Sequence, residues 1–158
     1  MPRAPHLAEL YLRYGSSVLR RARVLMGNES DAQDVVQQIF CALAEKPAQF
    51  EGRSGMLTWL YSATNHLCLN RMRDARRRAE LLRQHATRDG RARELGPEDM
   101  TQLRAALARM PPQLAEVLIY YHCDHMSQAE IAEQLGCSRR HVGDLLERAR
   151  AFMTGVAP

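Results

Sequence analysis

A chain of 158 residues can bury one sizeable core or two small ones, and 46% hydrophobic with 25% charged residues excludes wholesale disorder. The formal charge of +4 favours a polyanionic partner, and residues 1–79 carry the excess, at +5 against −1 for residues 80–158. No stretch approaches the roughly 18 apolar residues of a membrane span, and the N-terminal MPRAPHLAELYLRYG lacks the apolar run of a secretion signal, so a soluble, cytoplasmic protein without membrane insertion is expected.

Strand signals are nearly absent, whereas helical periodicity recurs along the chain. Leu7, Leu10, Tyr11, Tyr14, Val18 and Leu19 repeat at three-to-four spacing, and Gly27-Asn28 closes that first helix. Ser30 is the expected N-cap of a second helix, with Asp31 and Asp34 in its first turn and Val35, Val36, Ile39, Phe40 and Leu43 on its apolar face. Lys46-Pro47 ends it, and the glycine-containing loop PAQFEGRSGM follows.

A long helix is expected from Leu57 to Leu82. Its first half is apolar (Leu57, Trp59, Leu60, Ala63, Leu67) and its second is NRMRDARRR, so it starts in a core and finishes in solvent or on a partner. Arg71, Arg73, Arg76, Arg77 and Arg78 suit backbone phosphates. A solvated helix face is the plain alternative. Trp59, Tyr61, Asn65 and Asn70 offer rings and amides of the kind that read unpaired bases, although Trp59 fits a core position as well. Asn65 stands in mid-helix, where an amide is a mediocre helix former and wants a partner.

Residues 83–97 are polar and hold glycines without an apolar stripe, which reads as a linker between domains 1–82 and 98–158. MTQLRAALARM and PQLAEVLIYYH then predict two helices, with Pro112 suited to the first turn of the second.

The segment SQAEIAEQLGCSRRHVGDLLERAR, residues 127–150, predicts a tight helical hairpin. Ser127 and Glu130 form a capping box, Gly136 takes the left-handed turn, and Ser138 caps the second arm. Ile131 and Leu135 face inward, as do Val142, Leu145, Leu146 and Ala149. This is the helix-turn-helix pattern, in which the early residues of the second helix reach base edges in the major groove. Arg139, Arg140 and His141 occupy that leading end, with Asp144 and Arg148 further along. An ordinary αα-hairpin with a solvated face is the competing reading.

The four cysteines, Cys41, Cys68, Cys123 and Cys137, are scattered without a CxxC pair, as expected in a reducing compartment. Cys41 and Cys68 fall on apolar helical positions and read as small buried hydrophobes. His122, Cys123 and His125 diverge at helical spacing and lack a second cluster, so no metal is expected. With no phosphate-cradling loop and no nucleophile–base arrangement, neither a cofactor nor an enzymatic activity is expected.

DAQDVVQQIFCALAEKPAQFEGRSGMLTWLYSATNHLCLNRMRDARRR and MPPQLAEVLIYYHCDHMSQAEIAEQLGCSRRHVGDLLERAR, separated by the linker, resemble a bacterial RNA polymerase sigma factor of the extracytoplasmic-function group of the sigma-70 family. The likeness spans about residues 5–79 and 98–153, and its most specific pieces are D-A-x-D-V-V-Q and T-W-L-Y-x-x-x-x-N. It implies an all-α protein of two small helical domains, a region 2-like bundle and a region 4-like helix-turn-helix. Its implied partners are core RNA polymerase, promoter DNA and a restraining anti-sigma protein.

The resemblance also implies residue roles. Asp31, Asp34, Gln37, Gln38 and Phe40 would dock on the polymerase. Phe50 and Gly52 would belong to a loop that captures a minus-ten base; Trp59, Tyr61, Asn65 and Asn70 would be reader candidates, and Arg71, Arg73, Arg76, Arg77 and Arg78 backbone clamps. Ser127, Ser138, Arg139, Arg140, His141, Asp144 and Arg148 would serve minus-thirty-five recognition. The likeness departs at Gly143 and Asp144, where relatives commonly carry polar or basic residues. A self-sufficient helix-turn-helix repressor or activator is the other reading of the same residues.

Overall fold

The computed structural model describes residues 7–46, 55–85 and 98–155, and all the regular structure among them is helical. Three helices form the first half: α1 (Leu7–Met26), α2 (Glu29–Glu45) and α3 (Met56–His85). The second half holds α4 (Glu98–Arg109), α5 (Pro112–Leu118), a π-helical turn (Ile119–Cys123), α6 (Gln128–Leu135) and α7 (Arg139–Thr154).

Local chemistry accounts for most of the boundaries. Gly27 at φ +78° ends α1, and it sits where a Cβ would come within 2.8 Å of the Arg104 guanidinium carbon. The N-cap of α2 is Asn28 rather than the expected Ser30: its side chain accepts from the Asp31 amide at 2.8 Å and donates to the Asp31 carboxylate at 2.7 Å. An amide that both accepts and donates outcompetes a hydroxyl two residues later. Arg23 then clamps Glu29 across the turn at 2.5 and 2.8 Å, and together with Gln33 holds that carboxyl at about 2.

The hairpin follows its sequence closely. Ser127 and Glu130 make both bonds of the capping box, Gly136 is left-handed at φ 64°, and Ser138 accepts from the His141 amide at 3.2 Å. Val142, Leu145, Leu146 and Ala149 are buried together with Ile131, while Leu135 is half-buried.

Elsewhere the buried faces differ from the periodicity. In α3 the buried positions are Leu60, Thr64, Asn65, Cys68 and Leu69, and the expected Leu57, Trp59, Ala63 and Leu67 are only partly covered. The stripe is rotated because both halves of the chain pack on this helix, so polar Thr64 is drawn inside and returns its hydroxyl to the Leu60 carbonyl at 2.7 Å. Cys68 is buried as expected, but Cys41 is exposed on the outer side of α2.

The helix expected at PQLAEVLIYYH is also not a uniform α-helix. It widens at Ile119, and the Asp124 amide reaches back five residues to the Ile119 carbonyl at 3.1 Å. His125 follows at φ 52°. One continuous cluster of buried apolar residues runs from Leu10 and Val18 in α1, through Leu60 and Leu69 in α3, to Leu114, Tyr120 and Leu146 in the second half.

Gly143 stands inside α7, where an added Cβ would meet only the Gln128 side-chain oxygen at 3.8 Å. Nothing there requires glycine, and its backbone freedom weakens the helix. Gly143→Ala is expected to raise folding stability by about 0.5–1 kcal/mol in denaturant titration; an unchanged or lowered midpoint would contradict the packing described.

Candidate nucleic-acid interface

The hairpin sorts its residues by face. With Val142, Leu145, Leu146 and Ala149 turned inward, Arg139, Arg140, His141, Asp144 and Arg148 are all exposed on the opposite side of α7. That edge offers two forked donors at the helix start and one carboxylate acceptor a turn later, the groups that hydrogen-bond guanine edges and a cytosine amino group. Ser127 and Ser138 are exposed, but their hydroxyls are already used as caps.

Along α2, Asp34, Gln37 and Gln38 are exposed, Asp31 is half-buried and Phe40 is buried. Phe40 packs edge-on against Tyr11, with ring centroids 5.1 Å apart, so it holds α1 to α2 rather than facing outward. Tyr11, Leu19, Val36 and Gln37 line a groove of about 430 Å³ between these helices. Asp34 lies 4.0 Å from Arg71, which links this surface to α3.

The expected strand-reading residues of α3 divide into two groups. Asn70, Arg76, Arg77 and Arg78 are exposed, with Asn70 accepting from Arg73 at 3.2 Å. Trp59, Tyr61, Arg71 and Arg73 are half-buried. Asn65 is wholly enclosed. Phe50 and Gly52 lie outside the described residues.

The partner Asn65 was expected to want is Arg21 of α1, which donates to its side-chain oxygen at 3.1 Å. The same guanidinium lies over the Tyr61 ring, 3.8 Å from the centroid, and donates at 2.8 Å to Asp124, just past the π-turn. Its second terminal nitrogen meets the other Asp124 oxygen, and the side chains are only 12% and 7% exposed. Burial pulls the Arg21 pKa below its ordinary value, against the opposing pull of Tyr61, Cys123, Tyr120 and Cys68.

A second set of contacts lies one residue further along α3. His66 is 2.7 Å from Glu116 of α5; Glu116 also accepts from the Tyr120 hydroxyl at 2.9 Å, and that hydroxyl donates to Ser62 at 2.8 Å as its alternative partner. Burial raises the pKa of Tyr120, and it pushes the Cys68 thiol up to about 12, which keeps it protonated. Two donor groups stay unmatched at this seam: the Asn65 amide nitrogen, and Nε with one terminal nitrogen of Arg73.

Sequence reasoning missed Arg21, Ser62, His66, Glu116, Tyr120 and Asp124 as a group. The available signal was Glu116 and Asp124 bracketing the apolar run VLIYY, but their partners lie 50 to 103 positions away. His122 and Cys123 are exposed, and no group of three His, Cys, Asp or Glu side chains among the described residues could hold a metal ion. No described helix is long and apolar enough to cross a membrane.

Two family descriptions match the chain in order: sigma-70 region 2 over residues 10–78 and sigma-70, region 4 over residues 100–153. RNA polymerase sigma factor CnrH of Cupriavidus metallidurans is 31% identical over 94% of this chain and 84% of its own length. ECF RNA polymerase sigma factor SigG of Mycobacterium tuberculosis is 26% identical over 92% of this chain, which spans about half of it, 47%. The solved structure of CnrH in complex with the cytosolic domain of CnrY is similar at a TM-score of 0.57 and 27% identity, covering 95% of this chain and 86% of that one.

The His66–Glu116 pair makes stability depend on pH. Hydrogen bonding to Glu116 raises the His66 pKa above its ordinary value, against the effects of burial and of Arg73. Its stabilisation is therefore complete below the unfolded-state pKa of about 6.5 and is lost as pH rises through the folded-state value. His66→Gln is expected to lower the melting temperature at about pH 6 and to lower it less at about pH 8; an equal loss at both would contradict a charged pair.

Proposed function

The chain belongs to the extracytoplasmic-function group of the sigma-70 family, and from that premise we propose that it joins core RNA polymerase and directs initiation at a small set of promoters. It does no chemistry of its own and confers promoter choice on a catalytic partner. The observation that carries this reading is the order of the two matched regions on one chain, the second ending in an exposed arginine edge at the start of α7.

The division of labour follows from the faces. Asp34, Gln37 and Gln38 with the neighbouring groove form the polymerase-docking surface, with Phe40 supporting it from below. Tyr61, Asn65 and Asn70 read the parted minus-ten strand, while Arg71, Arg73, Arg76, Arg77 and Arg78 hold its backbone. Capture of unstacked bases offsets a few kcal/mol of unstacking per step. Arg139, Arg140, His141, Asp144 and Arg148 read the minus-thirty-five duplex, which needs only an inserted helix. Regulation falls to an anti-sigma protein; the relative CnrH was solved with the cytosolic domain of CnrY bound.

Purified core polymerase with and without the chain, on genomic fragments, tests the proposal. Specific initiation only when the chain is present supports it, whereas specific duplex binding by the chain alone, without polymerase, would point to a self-sufficient repressor or activator. Asn65→Ala should reduce promoter opening more than polymerase binding, and Asp34→Ala should do the reverse. Arg140→Ala should cost about 1–3 kcal/mol of upstream duplex recognition. Indistinguishable behaviour of the three variants in binding and opening assays would refute these roles.

A further inference from the structure

We propose that the segment from Glu116 to Asp124 is a built-in competitor of the promoter strand: its two carboxylates occupy the cations and cover the amide of α3 and α1 that the strand would use. This rests on the strand-reading role of α3 proposed above. Asp124 takes Arg21, and through Arg21 seals Asn65; Glu116 takes His66. Two acids therefore face basic and amide groups of α1 and α3, the groups that phosphates and bases would take.

Three observations point to a replaceable cover rather than a permanent core. Asn65 keeps one amide nitrogen without a partner, and Arg73 keeps two guanidinium nitrogens without one, so the shut arrangement leaves unused the donors that bases and phosphates would satisfy. The Arg21–Asp124 pair forms one wall of an open cleft of about 480 Å³, which also exposes Arg20 and Tyr61, so an incoming strand can reach it from outside. Beyond it the seam is incompletely filled: an apolar groove of about 350 Å³ runs between Leu25 of α1, Leu103 and Leu107 of α4, Ile119 and Met153.

The π-turn is what aims the cover. An uninterrupted α-helix would rotate the residue at 124 by roughly a quarter to a third of a turn relative to its place after the widened turn. The turn and the left-handed His125 instead direct Asp124 back at α1.

The test uses the whole 158-residue chain. Asp124→Asn and Glu116→Gln keep side-chain size and remove one charge each. Fluorescence anisotropy with a fluorescein-labelled single-stranded DNA of mixed sequence reads access to α3, and small-angle scattering reads separation of the halves. Each variant is expected to bind the DNA about tenfold more tightly than the unaltered chain and the pair of substitutions more tightly still, with a larger radius of gyration. Adding Asn65→Ala and Arg73→Ala to the pair should abolish the gain. Since removing two acids raises affinity for DNA anywhere, Glu133→Gln, which removes an exposed acid of α6 outside the seam, is the control and should leave the affinity nearly unchanged.

An unaltered chain that is already extended in solution, variants that open without gaining DNA affinity, or a gain matched by Glu133→Gln would each overturn the proposal. Saturating DNA should also expand the unaltered chain, a readout independent of whether any variant folds; no expansion counts against the competitor. Failure of the sigma-factor reading shows elsewhere, as absent polymerase-dependent initiation.

Discussion

The guanidinium of Arg21 is the point on which the two halves of this molecule meet. It is held on four sides by groups from different elements: the Tyr61 ring and Asn65 oxygen from α3, and both oxygens of Asp124 from beyond α5. A buried guanidinium without a carboxylate would leave an uncompensated charge, at a cost of several kcal/mol, so the position of the second half is tied to that of α1. The secondary contacts follow from this anchoring. Arg104 reaches the Val24 carbonyl at the end of α1, beside the left-handed Gly27, and Tyr120 comes within reach of Ser62.

What was legible in the sequence is what is decided within a few residues. The capping box at Ser127 and Glu130, the left-handed Gly136 and the Ser138 cap are local contests between side chain and backbone, and the inward stripe of α7 faces a single neighbourhood, so periodicity finds it. Asn28 displaced Ser30 because a cap is chosen by geometry, not residue type alone. Cys41 and the stripe of α3 misled because periodicity counts apolar residues but does not say how many neighbours a helix has. α3 has neighbours from both halves, which is why Asn65 and Thr64 are enclosed while Trp59 stays half-covered.

The candidate site was legible in part for the same reason. Exposed arginines at the start of α7 and at the far end of α3 could be read directly, since nothing competes for them. The seam could not. Its carboxylates lie in a stretch that looks like an amphipathic helix, and the π-turn that orients Asp124 leaves no residue-type signature. Asn65 did carry a signal, an amide in mid-helix, but the sequence could not say that its partner was Arg21, 44 positions earlier.

The chemistry of the seam explains why it is suited to release. An apolar interface resists a polyanion, because nothing on a nucleic-acid strand competes for buried leucines. An interface closed by carboxylates on guanidinium and imidazole groups is different: the desolvation penalty nearly cancels the attraction, so its net contribution is small even though each half of the pair needs some partner. A phosphate can replace a carboxylate at the same donor without leaving the cation unpaired, and a strand delivers several at once with release of counterions. The exchange therefore has a low thermodynamic threshold while the wrong outcome, an unpaired Arg21, is avoided at either end. Partial filling of the apolar groove beside it means that this part of the seam holds fewer contacts than a close-packed one, while the apolar cluster shared by the two halves remains the larger cost of parting them.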